Sequence, residues 1–140
     1  MCERAARPGT TTTAPQLTWS CTLPASASQV REARRWLARI LDGSPAADDA
    51  ILCLSELATN AVTHSSSGQL GGSFTIRADI RHGDRVRVEV EDEGGPWSRP
   101  VCADEQHGRG LVIVGTLARD WGISGHSHSG WTVWAEIAVP

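Results

Sequence analysis

Lysine is missing from this 140-residue chain: all 13 basic residues are arginine, and 16 acidic residues outweigh them for a formal charge of −3. Nucleic-acid binders normally carry a basic excess. None exists here, so direct nucleic-acid contact is not expected. No apolar run approaches the length of a membrane-spanning helix, and no membrane association is expected. The N-terminal stretch MCERAARPGTTTTAP contains nothing like the apolar core of a secretory signal. The four cysteines, Cys2, Cys21, Cys53 and Cys102, are scattered without a CxxC pair. Reduced thiols in a cytoplasmic protein are the expectation that follows. There is also no internal repeat.

With 40% apolar and 21% charged residues, the chain has the composition of one compact domain able to bury a core without staples. Residues 1–15, rich in Thr, Pro, Ala and Arg, read as a flexible tail, and residues 16–140 as the folded domain. Leu17, Trp19, Cys21 and Leu23 alternate with polar residues and predict a strand that Pro24 stops. Ser26 and Gln29 have the spacing of a capping box. Val30, Ala33, Leu37, Ile40 and Leu41 then recur at helical spacing, with Arg31, Arg34, Arg35 and Arg39 on the other side. Ser44-Pro45 announces a second helix running to about His64. Phe74, Ile76, Ala78 and Ile80, a turn at His82-Gly83-Asp84, and Val86, Val88 and Val90 predict a hairpin. After a long loop from Glu93 to Arg109 come a short apolar helix and a second hairpin around Gly125 to Gly130. The order β-α-α-β-β-loop-α-β-β predicts a two-layer α/β sandwich. Its sheet is mixed but mostly antiparallel, with about five strands and three helices on one face.

Three features suggest chemistry. Glu56, Asn60 and His64 lie at successive i, i+4 positions of the second helix, opposite Ile51, Leu54, Ala58, Ala61 and Val62. A solvated face explains such a stripe; so does a pair of oxygen ligands one turn apart offered to a hard cation such as Mg²⁺. Asp92 keeps the parity of Val86, Val88 and Val90, so its carboxylate points inward, which is costly unless donors meet it. It precedes Gly94, Gly95 and Pro96, where a turn-capping Asp is the plain alternative. Gly108-Arg109-Gly110-Leu111 opens a helix with exposed backbone N–H groups, an arrangement suited to phosphate.

Taken together, these segments resemble the GHKL ATPase/kinase superfamily. Glu56-Leu-Ala-Thr-Asn60-Ala-Val-Thr-His64 is similar to its N-box, and Asp92-Glu-Gly94-Gly95-Pro96 to its first glycine box. Gly108-Arg-Gly110-Leu111-Val-Ile-Val resembles its second glycine box, and Gly130-Trp-Thr132-Val-Trp its late threonine-bearing strand. Within the superfamily, the compact size and the ExxxNAxxH form look most like bacterial anti-sigma-factor serine/threonine kinases. The resemblance implies ATP and Mg²⁺ as ligands, with Asn60 on the metal, Glu56 as general base and His64 near the phosphates or ribose. It implies Asp92 as acceptor for the adenine amino group and Gly94 and Gly95 as room for the base. Gly108, Arg109, Gly110 and Leu111 would wrap the triphosphate, and Thr132 would support the adenine end through Asp92 or a water. Such residues supply the positioning, charge neutralisation and base that phosphoryl transfer needs.

The resemblance further implies protein partners: a sigma factor, and a small antagonist phosphorylated on Ser or Thr. Pairing of two copies, a homodimer, is implied through the region of Trp131 and Trp134, whose opposite parity leaves one ring on the open side of the sheet. The alternative function is a nucleotide-gated binding regulator that transfers no phosphate. Pro96, in place of a further glycine, and a lid from Trp97 to His107 without lysine depart from the family pattern. A zinc site from Cys102, His107, His126 and His128 is the lesser reading.

Overall fold

The computed structural model describes residues 2–7, 16–64, 72–93, 109–126 and 130–140. Its elements are β1 (Cys2–Arg7), β2 (Gln16–Pro24), α1 (Ala27–Ile40), α2 (Ala47–His64), β3 (Ser73–Arg81), β4 (Arg85–Glu91), α3 (Arg109–Leu117), β5 (Asp120–His126) and β6 (Gly130–Ala138). The strands form one sheet in the order β1-β2-β3-β4-β6-β5. Every pairing is antiparallel, so the sheet is not mixed.

Period-two alternation decides which face the helices cover. Phe74, Ile76, Ala78 and Ile80 of β3, Val86, Val88 and Val90 of β4, and Val133, Ala135 and Ile137 of β6 are all buried. The register sets Ile76 beside Val90 and Val88 beside Ala135, so these residues form one continuous apolar floor. Helix α2 lies across it, touching β3, β4 and β6, with α1 and α3 against its flanks. Val30, Ala33, Trp36 and Leu37 turn the apolar stripe of α1 inward. The capping box is not formed: Ser26 occupies the N-cap without a side-chain capping bond, its hydroxyl pairing with that of Ser28. Its carbonyl accepts the Gln29 N–H instead.

The helix-free face is an arginine–carboxylate lattice. Arg77 reaches Glu91 at 2.6 Å, Arg87 reaches Glu89 at 2.8 Å, and Arg85 lies 3.3 Å from Glu136. Arg87 also stacks on Trp134, 4.2 Å from the ring centroid. Below that ring, on β5, is Gly122, where a Cβ would come within 2.8 Å of the indole. The two tryptophans of β6 therefore do diverge: Trp134 faces the open side and Trp131 has the parity of the buried Val133.

The N-terminal expectation needs correcting. Residues 2–7 are not part of a loose tail but form β1, antiparallel to β2 at the sheet edge. An edge strand takes its place from backbone hydrogen bonds and needs no apolar alternation, so its sequence carries no strand signature. The cysteine expectation changes with it. Cys21 is disulfide-bonded, and the residue opposite it across the β1–β2 ladder is Cys2.

Cys53 is a free, fully buried thiol. Burial, helped by the charges of Asp49 and Glu56, pushes its pKa up from 9.0 to about 11. Between those values the unfolded chain loses a proton that the native state keeps, so stability is present below about pH 9 and falls as pH rises toward 11. Full loss corresponds to roughly 3 kcal/mol. Lysine and tyrosine, which would blur that window, are absent from the chain. Urea midpoints should fall between pH 8.5 and about 10.5, and Cys53→Ala should flatten the decline.

Candidate nucleotide site

Asp92 follows the last residue of β4 and is 7% exposed, one of two polar residues buried among the described ones. Its backbone N–H donates to the Trp131 carbonyl at 2.9 Å. In return the Trp131 N–H donates to Asp92 Oδ1 at 3.0 Å. The inward carboxylate predicted from parity is therefore real, and a backbone amide of β6 meets part of its cost. Asp92 lines a cavity of about 310 Å³ with Ser73, Phe74, Thr75, Glu91 and Glu93. A second cavity of about 290 Å³ lies at the opposite end of the sandwich, between Leu41, Ser44, Arg81 and Val139, remote from Asp92.

On α2 the solvent-facing residues are Asp48, Asp49, Leu52, Thr59 and Thr63, most of them in one stripe. Glu56 and Asn60 flank it and are half-buried. Their side is therefore not the fully solvated one, because α1 and α3 pack against α2 on both flanks. One turn separates the two, so carboxylate and amide oxygens lie on the same strip of helix. Next to Glu56, the buried Ser55 accepts a hydrogen bond from Arg34 of α1 at 3.0 Å.

His64 is the last residue of α2, and its side chain lies outside the described residues, as does that of Arg109. Gly94, Gly95 and Gly108 lie outside them altogether. Arg109 and Gly110 begin α3, and Leu111 is buried in the core beneath it. Thr132 stands opposite Glu91 and Ser124, on the face away from the helices, whereas Asp92 has the parity of the buried Val90. The structure does not bring the Thr132 hydroxyl to Asp92; the neighbouring backbone N–H of Trp131 takes that place. Side-chain pattern alone had no signal for this donor. Among the described residues no three or more His, Cys, Asp or Glu side chains cluster as a metal site. None of the helices there is long and apolar enough to cross a membrane.

Residues 23–137 match the model of the histidine kinase-like ATPase domain. The chain belongs to this family. Among solved structures it is similar to the RsbU and RsbW domains of Rv1364c from Mycobacterium tuberculosis, at 23% identity and a TM-score of 0.68. That match covers 90% of this chain and 34% of the other. A histidine kinase domain from the Erythrobacter litoralis EL346 blue-light activated histidine kinase matches at 20% identity and a TM-score of 0.50. It covers 94% of this chain and 66% of that one. The chain thus spans about a third of the first relative and just under two thirds of the second. Both likenesses concern the fold. No curated protein matches.

Replacing the buried carboxylate separates its structural part from any other. Asp92→Leu leaves the Trp131 N–H without its acceptor and should cost about 1–3 kcal/mol in urea unfolding. Asp92→Asn keeps an oxygen at that position and should stay within about 1 kcal/mol of wild type.

Proposed function

We propose that the protein is an ATP-binding serine/threonine protein kinase of the anti-sigma-factor type. In this reading it phosphorylates a small antagonist protein and controls a sigma factor or similar partner. The observation that carries the reading is Asp92, a carboxylate buried at the wall of a cavity in a histidine kinase-like ATPase domain. Its ionised form accepts hydrogen bonds only, which suits a base presenting an amino group, such as adenine, and disfavours one presenting a carbonyl there. Gly94 and Gly95 follow in the chain and take the role of leaving room for the base.

The residues of α2 fit a magnesium ion carried on phosphate. Asn60 offers one neutral oxygen, and Mg²⁺ is usually held by few protein ligands together with phosphates and water. When bound, Mg·ATP supplies the γ-phosphoryl group and its charge neutralisation. Glu56, one turn before Asn60, takes the proton from the attacking hydroxyl. His64, one turn further on, takes from the family resemblance a role near the phosphates or ribose. Arg109, Gly110 and Leu111 open α3, where backbone N–H groups favour an anion, and Gly108 before them takes its role from the family resemblance alone. Thr132 acts from the open face, through water.

The likeness to the RsbW domain supports protein partners of this kind, and the open sheet face around Trp134 is the proposed surface for pairing of two copies. We place the protein in the cytoplasm, where ATP and transcription factors are. The Cys21 disulfide is at odds with a reducing compartment.

Two measurements test the proposal. Calorimetry with Mg·ATP should show binding by wild type and by Glu56→Ala, and at least about tenfold weaker binding by Asp92→Asn. Equal binding by Asp92→Asn would overturn the site assignment. Wild type and Glu56→Ala are then used as bait in lysate with Mg·ATP, followed by phosphopeptide mass spectrometry. New phosphoserine or phosphothreonine on a small captured protein, made by wild type alone, is the expected result. Partners held only with ATP and never phosphorylated would replace the kinase by a nucleotide-gated binder.

A further inference from the structure

Asp92 belongs to no helix and follows the end of its strand, yet its carboxylate must be held to a few tenths of an ångström to discriminate between bases. Resting on the reading of Asp92 as the base acceptor, we propose that Gly130 and Glu93 are positioning residues that clamp the Asp92 carboxylate from its two sides.

Gly130 opens β6, is buried, and has φ +102°. Residues with a side chain rarely adopt that conformation. Space is the stronger constraint. A Cβ on Gly130 would overlap the backbone carbonyl oxygen of Asp92. Glycine is what lets the start of β6 run against the Asp92 backbone, and the two reciprocal bonds with Trp131 depend on that approach. Gly130 cannot retreat either. Gly125, with φ +96°, presses on the Gly130 carbonyl so closely that a Cβ there would overlap it too. Parting the two backbones by about 1 Å would carry the 3.0 Å Trp131 N–H···Oδ1 bond out of hydrogen-bonding range.

The other side is closed by Glu93. Its carboxylate accepts the Ser73 backbone N–H and, at 3.1 Å, the Ser73 hydroxyl. This ties the residue after Asp92 to the first residue of β3. Asp92 is thus bracketed by β6 on one flank and β3 on the other. Gly130 has no side chain to offer a ligand, so its effect reaches one through Asp92. Glu93 and Ser73 also line the cavity, and the Trp131 resonance separates their hold on Asp92 from any direct contact with a ligand.

The test reads position directly. In ¹⁵N-labelled protein the Trp131 amide resonance should follow the titration of Asp92, and Asp92→Asn should abolish that pH dependence. Gly130→Ala should uncouple the Trp131 resonance from Asp92 while the rest of the spectrum stays dispersed. Glu93→Ala alters an exposed residue, so folding is not at issue. It should weaken the coupling, and Glu93→Gln, which keeps an acceptor for Ser73, should restore most of it.

Alongside, ADP and GDP affinities are measured for each variant. Gly130→Ala and Glu93→Ala should weaken ADP about tenfold and bring the ADP-to-GDP ratio toward one. Unchanged coupling and an unchanged ratio in folded variants would overturn the proposal while leaving the nucleotide reading intact. If wild type binds no ADP but Trp131 still reports Asp92, and that report is lost in Gly130→Ala and weakened in Glu93→Ala, the clamp stands and the nucleotide reading falls. Should Gly130→Ala fail to fold, the Glu93 pair decides by the same criteria.

Discussion

Helix α2 is the member on which the rest of the fold depends. It packs on three strands and two helices at once, and only an outer strip of it is fully exposed. Ala50, Cys53, Leu54, Leu57, Ala58 and Ala61 are all buried. Small residues make up half of that set, letting the helix sit close over the sheet while α1 and α3 close on its sides. This crowding has a chemical by-product. Polar residues of α2 that are not on the outer strip are only partly hydrated, which makes the Glu56–Asn60 flank a place where electrostatic interactions are stronger than on an open surface.

The layered architecture was legible because alternation in β3, β4 and β6 and the helical stripe of α1 are side-chain patterns, and burial followed them residue by residue. The inward turn of Asp92 was legible for the same reason. What escaped was held by backbone. The strand β1 has no apolar pattern to read, and its pairing with β2 is a ladder of N–H and C=O groups. The donor to Asp92 is likewise a main-chain amide, whereas the family resemblance implied Thr132, one residue on and on the other face. Ser26 shows the converse case: the right residues for a capping box at the right spacing, with a backbone carbonyl doing the capping instead.

The open face shows how a chain without lysine covers a sheet. Each guanidinium is planar and holds several donors in fixed directions, so one arginine can serve two partners. Arg77 spans Glu89 and Glu91, while Arg87 bonds Glu89 and sits over the Trp134 ring. These pairs are exposed enough that each adds little stability. Their effect is to cover the sheet with side chains lying parallel to it, leaving fewer bare apolar atoms toward solvent.

The stack of Arg87, Trp134 and Gly122 has a consequence for how sequences of this family can diverge. The indole occupies the volume that a side chain at 122 would fill, so the two positions share one space across neighbouring strands. A relative that acquires a side chain at the first must move the large ring at the second or replace it with a smaller one. The arginine on the third strand then loses the surface it rests on. Aligned homologues should therefore show these three columns changing together.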